Sequence, residues 1–165
     1  MPSIVFVCTA NQFRSPIAAA LFRKKLDAQA RPGKWEVASA GTWTTPGQAS
    51  TPVAVQLAGR CGVTLEGHLT ELVSHSRLSR FDLVLVMEAG HREALLAEFP
   101  SIGARVFLLS EVVDHMRYDI PDPARSPEHA ERFAHEMCEL IERGYETICK
   151  LAEDIHAGEL KQPSS

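Results

Sequence analysis

The sequence predicts an α/β fold: a single domain in which a four-stranded parallel sheet is flanked by helices on both faces. Two observations lead to this prediction. Short β-favouring apolar runs alternate with longer helical segments, which is the order of a parallel sheet with crossover helices. The 165 residues are also enough for one domain with a sizeable core. We expect the domain to span residues 1–160 and residues 161–165 to form a disordered tail.

The elements follow from local patterns. Residues 4–7 form a continuous apolar run, as expected of a strand buried on both faces. Ser15 and Pro16 predict an N-cap and the first position of a helix that reaches about residue 29. The remaining predicted elements, in chain order, are a strand at 36–40, a helix at 52–59, a strand at 82–87, a helix at 90–99, a strand at 106–109 and a long helix from 127 to about 157.

The last helix has the clearest periodicity. At 100° per residue its apolar side chains fall within a stripe roughly 120° wide, which predicts that the helix packs along the sheet. The residues of this stripe are Phe133, Met137, Leu140, Ile141, Ile148, Leu151, Ala152 and Ile155.

Composition argues against several classes of function. A net charge of −4 offers no basic surface for nucleic acid or for a membrane. No apolar run approaches the roughly 18 residues that a bilayer span requires, and the N-terminus lacks the features of a signal peptide. We therefore expect a cytoplasmic protein that binds no nucleic acid and does not insert into membranes.

The cysteines and histidines predict no metal site. The four cysteines are widely separated and include no Cys-x-x-Cys pair, which argues against both a disulfide framework and a zinc site. The six histidines other than His68 show no metal-ligand spacing, and we interpret most of them as solvated. We therefore expect neither a metal nor a cofactor.

The segment between the first strand and the first helix carries the strongest functional signal. Cys8 ends the strand and Arg14 follows six residues later. A short loop that enters a helix N-terminus can direct backbone N–H groups at a phosphate, and the same field stabilises a thiolate. The planar guanidinium suits two phosphoryl oxygens. We predict that Cys8 is a nucleophile and Arg14 a phosphate clamp, within a phosphate loop (residues 8–15). Its phosphate-binding residues are Thr9, Ala10, Asn11, Gln12, Phe13, Arg14 and Ser15.

A purely structural interpretation of this segment is also possible. Cys8 would then be a buried cysteine at a strand end, and Arg14 would lie on a solvated helix face. A cysteine and an arginine at this spacing often occur by chance. The strand before them and the Ser-Pro helix start after them favour the functional interpretation.

Two further features are candidate parts of the site. Asp119 and Asp122 lie on a proline-rich loop after the fourth strand, and either could supply a proton to a leaving group. A simple polar turn fits this segment equally well, so the residues alone leave both aspartates open. Trp43, which follows the second strand, could form a wall of the pocket, or it could be a partly buried loop tryptophan.

The sequence resembles the low-molecular-weight protein tyrosine phosphatases, whose loop has the pattern Cys-x-Gly-Asn-x-Cys-Arg-Ser-Pro. Cys8, Asn11, Arg14, Ser15 and Pro16 match this pattern. Similar segments follow in the family's order over nearly the whole chain: Ser39-Ala40-Gly41, Leu65-Glu66-Gly67-His68, Met87-Glu88 and Asp122-Pro123.

The resemblance implies a function and a set of roles. It implies hydrolysis of phosphotyrosine through a cysteinyl-phosphate, with Asp122 as the general acid. It also implies that Ser39 and His68 hold Asn11 by hydrogen bonds. Residues 65–68 look most similar to bacterial members that are paired with tyrosine kinases of capsule and exopolysaccharide synthesis. The implied partners are therefore phosphotyrosine proteins, among them an autophosphorylating tyrosine kinase.

Two loop residues depart from the family pattern. Ala10 replaces a glycine, which tolerates positive φ more readily. Phe13 replaces a cysteine that many members use to trap the oxidised nucleophile as a reversible disulfide. We expect that rescue to be lacking here, so that peroxide oxidises Cys8 more readily to irreversible products.

Three alternative functions remain. An arsenate reductase of the same fold relays oxidation to further cysteines or uses an external thiol, and Cys61, Cys138 and Cys149 show no close pair in the sequence. A phosphocarrier of the sugar-transport type needs neither Arg14 nor Asp122. A non-catalytic anion-binding module would lack a nucleophile or an acid.

Overall fold

The fold is a four-stranded parallel sheet, seen in a computed structural model that describes residues 1–29, 31 and 33–159. The strands are β1 (Ser3–Cys8), β2 (Glu36–Gly41), β3 (Leu83–Val86) and β4 (Val106–Leu108), in the spatial order β2-β1-β3-β4. Every neighbouring pair is parallel, which confirms the predicted sheet. The tail predicted at 161–165 lies outside the described residues.

β1 is a central strand buried on both faces. Ile4 and Phe6 pack into one core, whereas Val5 and Val7 pack into a second core on the opposite face. All four side chains are completely inaccessible to solvent. A strand covered on both sides needs apolar residues at every position, which explains the uninterrupted run in the sequence.

Helices cover both faces of this sheet, as predicted. Their bounds are α1 (Arg14–Ala28), α2 (Pro52–Arg60), α3 (His75–Leu78), α4 (Ala89–Glu98), α5 (Leu109–Asp114) and α6 (Ala130–His156). The core that contains Phe6 includes Phe22 of α1 and Ile141 of α6. The core that contains Val7 includes Leu95 of α4. Within the described residues, no helix combines the length and apolar character needed to cross a membrane.

The predicted stripe of α6 faces the core for most of its length. Six of its eight residues are buried, and Leu151 and Ile155 are partly buried against the same core. The helix proper begins at Ala130 after a 3-10 turn, Pro127–His129. Neither α3 nor α5 was predicted, because helices of four and six residues are too short to show a helical period.

The predicted N-cap of the first helix is wrong. α1 begins at Arg14, so Ser15 lies in its first turn, and the N-cap residue Phe13 makes no side-chain capping bond. Ser15 resembles an N-cap in the sequence because it precedes a proline. In the structure its hydroxyl is used by the phosphate loop instead.

The cysteine prediction is also wrong, because Cys61 and Cys138 form a disulfide. The bond joins the end of α2 to α6, with the two Cα atoms 6.4 Å apart. A separation of 77 residues gives no local signal for this pairing. Only the packing of α2 against α6 brings the two residues together.

The disulfide is expected to contribute to stability. In the chain-entropy model a cross-link over a long loop lowers the entropy of the unfolded chain. Reduction should therefore lower the free energy of unfolding by about 2–4 kcal/mol. Urea unfolding with and without dithiothreitol measures this change. As a control, the free energy of unfolding of the Cys61→Ser/Cys138→Ser variant should not change with the reductant. Equal stability of the oxidised and the reduced wild-type protein would contradict the prediction.

Candidate active site

The phosphate loop lies at the carboxyl end of the central strand, where open α/β sheets place their ligands. Cys8 is the last residue of β1 and is 3% exposed. Its Sγ lies 3.0 Å from the Oγ of Ser15, in the first turn of α1. The fold thus brings the predicted nucleophile to a helix N-terminus, which favours a negative charge.

Asn11 holds the loop in its conformation. Its φ of 57° is in the left-handed region, which asparagine tolerates better than most side chains. Its Nδ2 donates to Ser15 Oγ (2.8 Å) and to Ser39 Oγ (2.9 Å). Its Oδ1 accepts from the backbone N–H of Glu71 (2.9 Å), and its carbonyl oxygen lies 2.8 Å from Nε2 of His68. Ser39 and His68 therefore occupy the places that the resemblance implied.

The same bonds leave the proton of the Ser15 hydroxyl available to the sulfur. Because Ser15 Oγ accepts a hydrogen bond from Asn11, its own proton is free to be donated. The two acceptors near it are Cys8 Sγ at 3.0 Å and the carbonyl oxygen of Ala40 at 3.4 Å. The shorter of these contacts would stabilise a thiolate at Cys8.

The two departures from the family loop fit the structure. Among the described residues, the only non-glycine positions with positive φ are Asn11 and His115. Ala10 therefore does not need the conformational freedom of glycine. Phe13 is partly buried and packs against Leu57 and Ala134, so its ring joins the phosphate loop to α2 and α6.

Gly41, at the end of β2, leaves room for the phosphate loop. A Cβ at this position would lie 2.5 Å from the carbonyl oxygen of Thr9 and 3.1 Å from Cβ of Asn11. The first of these neighbours is backbone and cannot rotate away. Any side chain at this position would displace the loop residue that follows the nucleophile.

We expect Gly41→Ala to lower kcat/KM about 100-fold, because a shift of about 1 Å in a catalytic group can have that effect. The matched control is Gly59→Ala in α2, where an added Cβ meets no atom within 4 Å. Steady-state assays on both variants, with circular dichroism to verify folding, measure the difference. A folded Gly41→Ala protein with wild-type kcat/KM would show that the loop tolerates the displacement.

Arg14 is buried against the phosphate loop and fixed by three groups. It is 3% exposed, and its Nη1 donates to Glu88 Oε2 (2.7 Å) and to the carbonyl oxygen of Ile120 (2.8 Å). Its Nη2 lies 3.7 Å from Oδ2 of Asp122. Glu88 and Ile120 thus hold the guanidinium in one orientation.

The two candidate aspartates have different environments. Asp119 Oδ1 accepts a hydrogen bond from the backbone N–H of Ala89 (2.8 Å), at the start of α4. Asp122 Oδ1 accepts from the N–H of Ala124 (2.9 Å), while its other oxygen faces Arg14. Asp119 is therefore used to hold a helix end, and Asp122 is the aspartate beside the phosphate clamp.

Trp43 lies next to the phosphate loop. Its backbone N–H donates to the carbonyl oxygen of Thr9 (3.0 Å), while its side chain is 84% exposed. The ring is thus not a partly buried loop tryptophan. Its role as a wall of the pocket stays a prediction.

His91 is a residue of this site that the sequence analysis missed. The sequence predicts that most of the histidines other than His68 are solvated, whereas His91 is only 6% exposed and its Nε2 lies 2.8 Å from Oγ1 of Thr9. Burial and the nearby Arg14 guanidinium lower the pKa of His91 to about 4. No clear signal for it was present in the sequence, because Glu88 and His91 do not have the Ser/Thr-x-x-Glu/Gln pattern of a capping box.

The low pKa of His91 predicts a loss of stability in acid. Burial and Arg14 lower it, while Glu88, Asp119 and Asp122 raise it by smaller amounts. The unfolded chain therefore binds a proton near the ordinary pKa of 6.5, whereas the folded chain binds one only near 4. Protonation of this residue therefore leaves the free energy of unfolding unchanged above pH 6.5. As the pH is lowered toward 4, it reduces the free energy of unfolding by about 3 kcal/mol in total.

Urea unfolding at several pH values between 7 and 4 measures this loss. His91→Gln should lose less stability over that range, since every other titrating group is common to both proteins. Equal losses in the two proteins would contradict the prediction.

Comparison with known proteins identifies the family. The family described as low molecular weight phosphotyrosine protein phosphatase matches residues 3–159. This chain belongs to that family. Membership in the low-molecular-weight phosphatases agrees with the resemblance drawn from the phosphate loop.

This low-molecular-weight phosphatase is similar to relatives that are named for two different activities. The probable low-molecular-weight protein-tyrosine-phosphatase EpsP of Ralstonia nicotianae is 34% identical over 86% of this chain and 90% of its own length. The protein-arginine-phosphatase of Bacillus subtilis is 32% identical over 73% of this chain and 78% of its own length.

A solved structure of the YwlE arginine phosphatase has the same fold. Its TM-score with this phosphatase is 0.82 at 29% identity, over 90% of this chain and 96% of that one. That protein is an active-site cysteine-to-serine mutant whose serine is phosphorylated.

Proposed function

We propose that this phosphatase hydrolyses phosphotyrosine in proteins through a cysteinyl-phosphate at Cys8. One observation carries the proposal: the nucleophile, the clamp Arg14 and the acid Asp122 meet at one loop whose backbone Asn11 fixes in advance. Such preorganisation is the main requirement of phosphoryl transfer, which depends on positioning and charge stabilisation.

In the first step, the Cys8 thiolate attacks phosphorus. The S–P bond forms as the bond to the phenolic oxygen breaks, and Asp122 donates its proton to that oxygen. Arg14 and the backbone N–H groups of residues 9–15 stabilise the equatorial oxygens. The hydrogen bonds of Arg14 to Glu88 and Ile120, which hold the guanidinium in one orientation, support this role.

In the second step, water hydrolyses the cysteinyl-phosphate. The ionised Asp122 accepts a proton from the attacking water, the O–P bond forms, and the S–P bond breaks to return the thiolate. Ser15 Oγ, 3.0 Å from the sulfur, stabilises that leaving thiolate by a hydrogen bond. Asp122 thus ends the cycle protonated, ready for the next substrate.

The proposed substrates are phosphotyrosine proteins, and among them an autophosphorylating tyrosine kinase of exopolysaccharide synthesis. Two similarities support this class of substrate: that of the chain to EpsP, and that of residues 65–68 to bacterial family members paired with such kinases. We propose that Trp43 contacts the aromatic ring of a bound phosphotyrosine; its exposure and its backbone bond to Thr9 support this role. We propose that the domain spans residues 1–160 and acts in the cytoplasm.

Phosphoarginine in proteins is a second candidate substrate. The relative from Bacillus subtilis and the YwlE structure both carry the name of an arginine phosphatase. The phosphate loop and its mechanism would serve either substrate. The leaving group would then be a guanidinium nitrogen instead of a phenolic oxygen.

Arsenate reduction is the remaining enzymatic alternative. The Cys61–Cys138 pair supplies the close pair of cysteines that the sequence did not reveal. Cys8 is not part of that pair, and its sulfur contacts the Ser15 hydroxyl. The family match and the relatives named as phosphatases favour a hydrolase.

A substrate panel in EDTA tests the proposal. Initial rates are compared for peptides of one sequence that carry phosphotyrosine, phosphoarginine, phosphoserine or phosphothreonine, with and without vanadate. We expect phosphotyrosine to have the highest kcat/KM and vanadate to inhibit it. A higher value for phosphoarginine would reassign the substrate, and thiol-dependent reduction of arsenate without phosphatase activity would reject the proposal.

A further inference from the structure

The start of α4 contacts the phosphate loop from the side opposite to β2. The Asn11 bonds hold the loop from the β2 side, through Ser39 and the segment that contains His68. On the β3 side, Nε2 of His91 lies 2.8 Å from Oγ1 of Thr9. Thr9 is the first residue after the nucleophile, so any movement of it changes the direction of the loop N–H groups.

The hydrogen bonds of His91 define its tautomer. Its Nδ1 accepts from the backbone N–H of Glu88 at 3.1 Å, so Nδ1 carries no proton. In the neutral ring the proton is then on Nε2, which donates to Thr9 Oγ1. Nε2 also lies 3.5 Å from Oε2 of Glu88, but its shorter contact is the one to Thr9.

Glu88 links the same ring to the phosphate clamp. The carboxylate of Glu88 accepts from Arg14 Nη1 at 2.7 Å, and the backbone carbonyl oxygen of Glu88 accepts from the backbone N–H of His91 at 3.0 Å. His91 Nδ1 in turn holds the Glu88 backbone. One buried imidazole thus connects Thr9 on the loop with the residue that orients Arg14.

We propose that His91 is a positioning residue of the phosphatase, which fixes Thr9 through Nε2 and the Arg14-binding Glu88 through Nδ1. The inference rests on the proposed function and adds a second support of the phosphate loop, on the β3 side. His91 does not touch the phosphoryl group and takes no part in proton transfer. It acts on the geometry of Thr9 and Arg14.

The neutral state of His91 is consistent with this role. Burial is the largest cause of its low pKa, with Arg14 as the second. The carboxylates that face it are Glu88, Asp119 and Asp122, and each opposes the shift. Near neutral pH the ring therefore keeps one donor and one acceptor, as the two bonds require.

Two conservative variants separate the two bonds. His91→Gln keeps a donor where Nε2 lies and loses the acceptor for the Glu88 N–H. His91→Asn keeps an acceptor where Nδ1 lies and loses the donor to Thr9. His91→Leu loses both. His135→Asn, on an exposed face of α6, is the control for loss of a histidine.

The experiment combines these variants with Thr9→Val, which removes the hydroxyl. We expect His91→Leu to lower kcat/KM for an aryl phosphate about 10- to 100-fold and to weaken vanadate binding, measured by calorimetry. Thr9→Val should lower kcat/KM by a similar factor in wild type and in His91→Gln. It should have little effect in His91→Asn and His91→Leu, because the bond is already lost.

Two results would overturn the inference. One is that Thr9→Val lowers kcat/KM by the same factor in wild type and in all three His91 variants, which would show that the two residues act independently. The other is wild-type kcat/KM and vanadate affinity in a His91→Leu protein that remains folded. If the wild type hydrolyses no aryl phosphate, the proposed function fails, and the vanadate affinities of the same variants still decide the role of His91.

Discussion

Replacing Cys8 by serine is expected to abolish catalytic turnover, lowering kcat by at least about 10⁴-fold. The field of the phosphate loop can stabilise a thiolate, but a serine hydroxyl stays protonated at neutral pH and is a far weaker nucleophile. Any phosphoserine that forms is also more resistant to hydrolysis, since an alkoxide is a poorer leaving group than a thiolate. The YwlE mutant with a phosphorylated active-site serine is a precedent for that trapped state.

Intact-mass analysis of the Cys8→Ser protein after incubation with an aryl phosphate tests this expectation. At most one phosphoryl group per chain should appear, with no continued release of phenol. Cys149→Ser is the matched control, because burial raises the pKa of the Cys149 thiol to about 11 and makes it unreactive. Sustained turnover by Cys8→Ser would remove the cysteinyl-phosphate from the mechanism.

Asp122→Asn is expected to lower kcat for phosphotyrosine by about 10²–10⁴-fold. Asparagine can still accept the hydrogen bond from the Ala124 N–H, so the loop keeps its turn. It cannot transfer a proton to the phenolic oxygen. The loss should therefore be smaller for aryl phosphates whose phenols are more acidic, because those leaving groups need less protonation.

The control for this variant is Asp119→Asn. Its amide oxygen can still accept from the Ala89 N–H, and its kcat should stay close to wild type. A series of aryl phosphates measured with both variants gives the dependence of kcat on the phenol. An equal loss for acidic and weakly acidic phenols in Asp122→Asn, or a comparable loss in Asp119→Asn, would exclude Asp122 as the general acid.

The Cys61–Cys138 disulfide bears on the proposed location. Disulfides are rare in reducing compartments, where glutathione and thioredoxin keep thiols reduced. In the cytoplasm the pair would exist largely as two thiols, and the protein would have the lower of the two stabilities described above. Cys8, the proposed nucleophile, is a separate, free cysteine in either state.

The sequence by itself determined the sheet and its long helices, and it predicted the reacting groups. Local signals were sufficient for these features: a continuous apolar run for β1, a helical stripe for α6, and one short loop that contains both Cys8 and Arg14. The resemblance to the family then supplied the choice of Asp122 and the partners of Asn11.

Only the tertiary structure decided the groups that hold this site in place. His91, Glu88 and Gly41 act on residues far from them in the chain, through contacts that have no sequence period. The Cys61–Cys138 bond is of the same kind, since it depends on how α2 packs against α6. Periodicity and capping report on one element at a time, whereas these contacts depend on where parallel strands bring separate loops together.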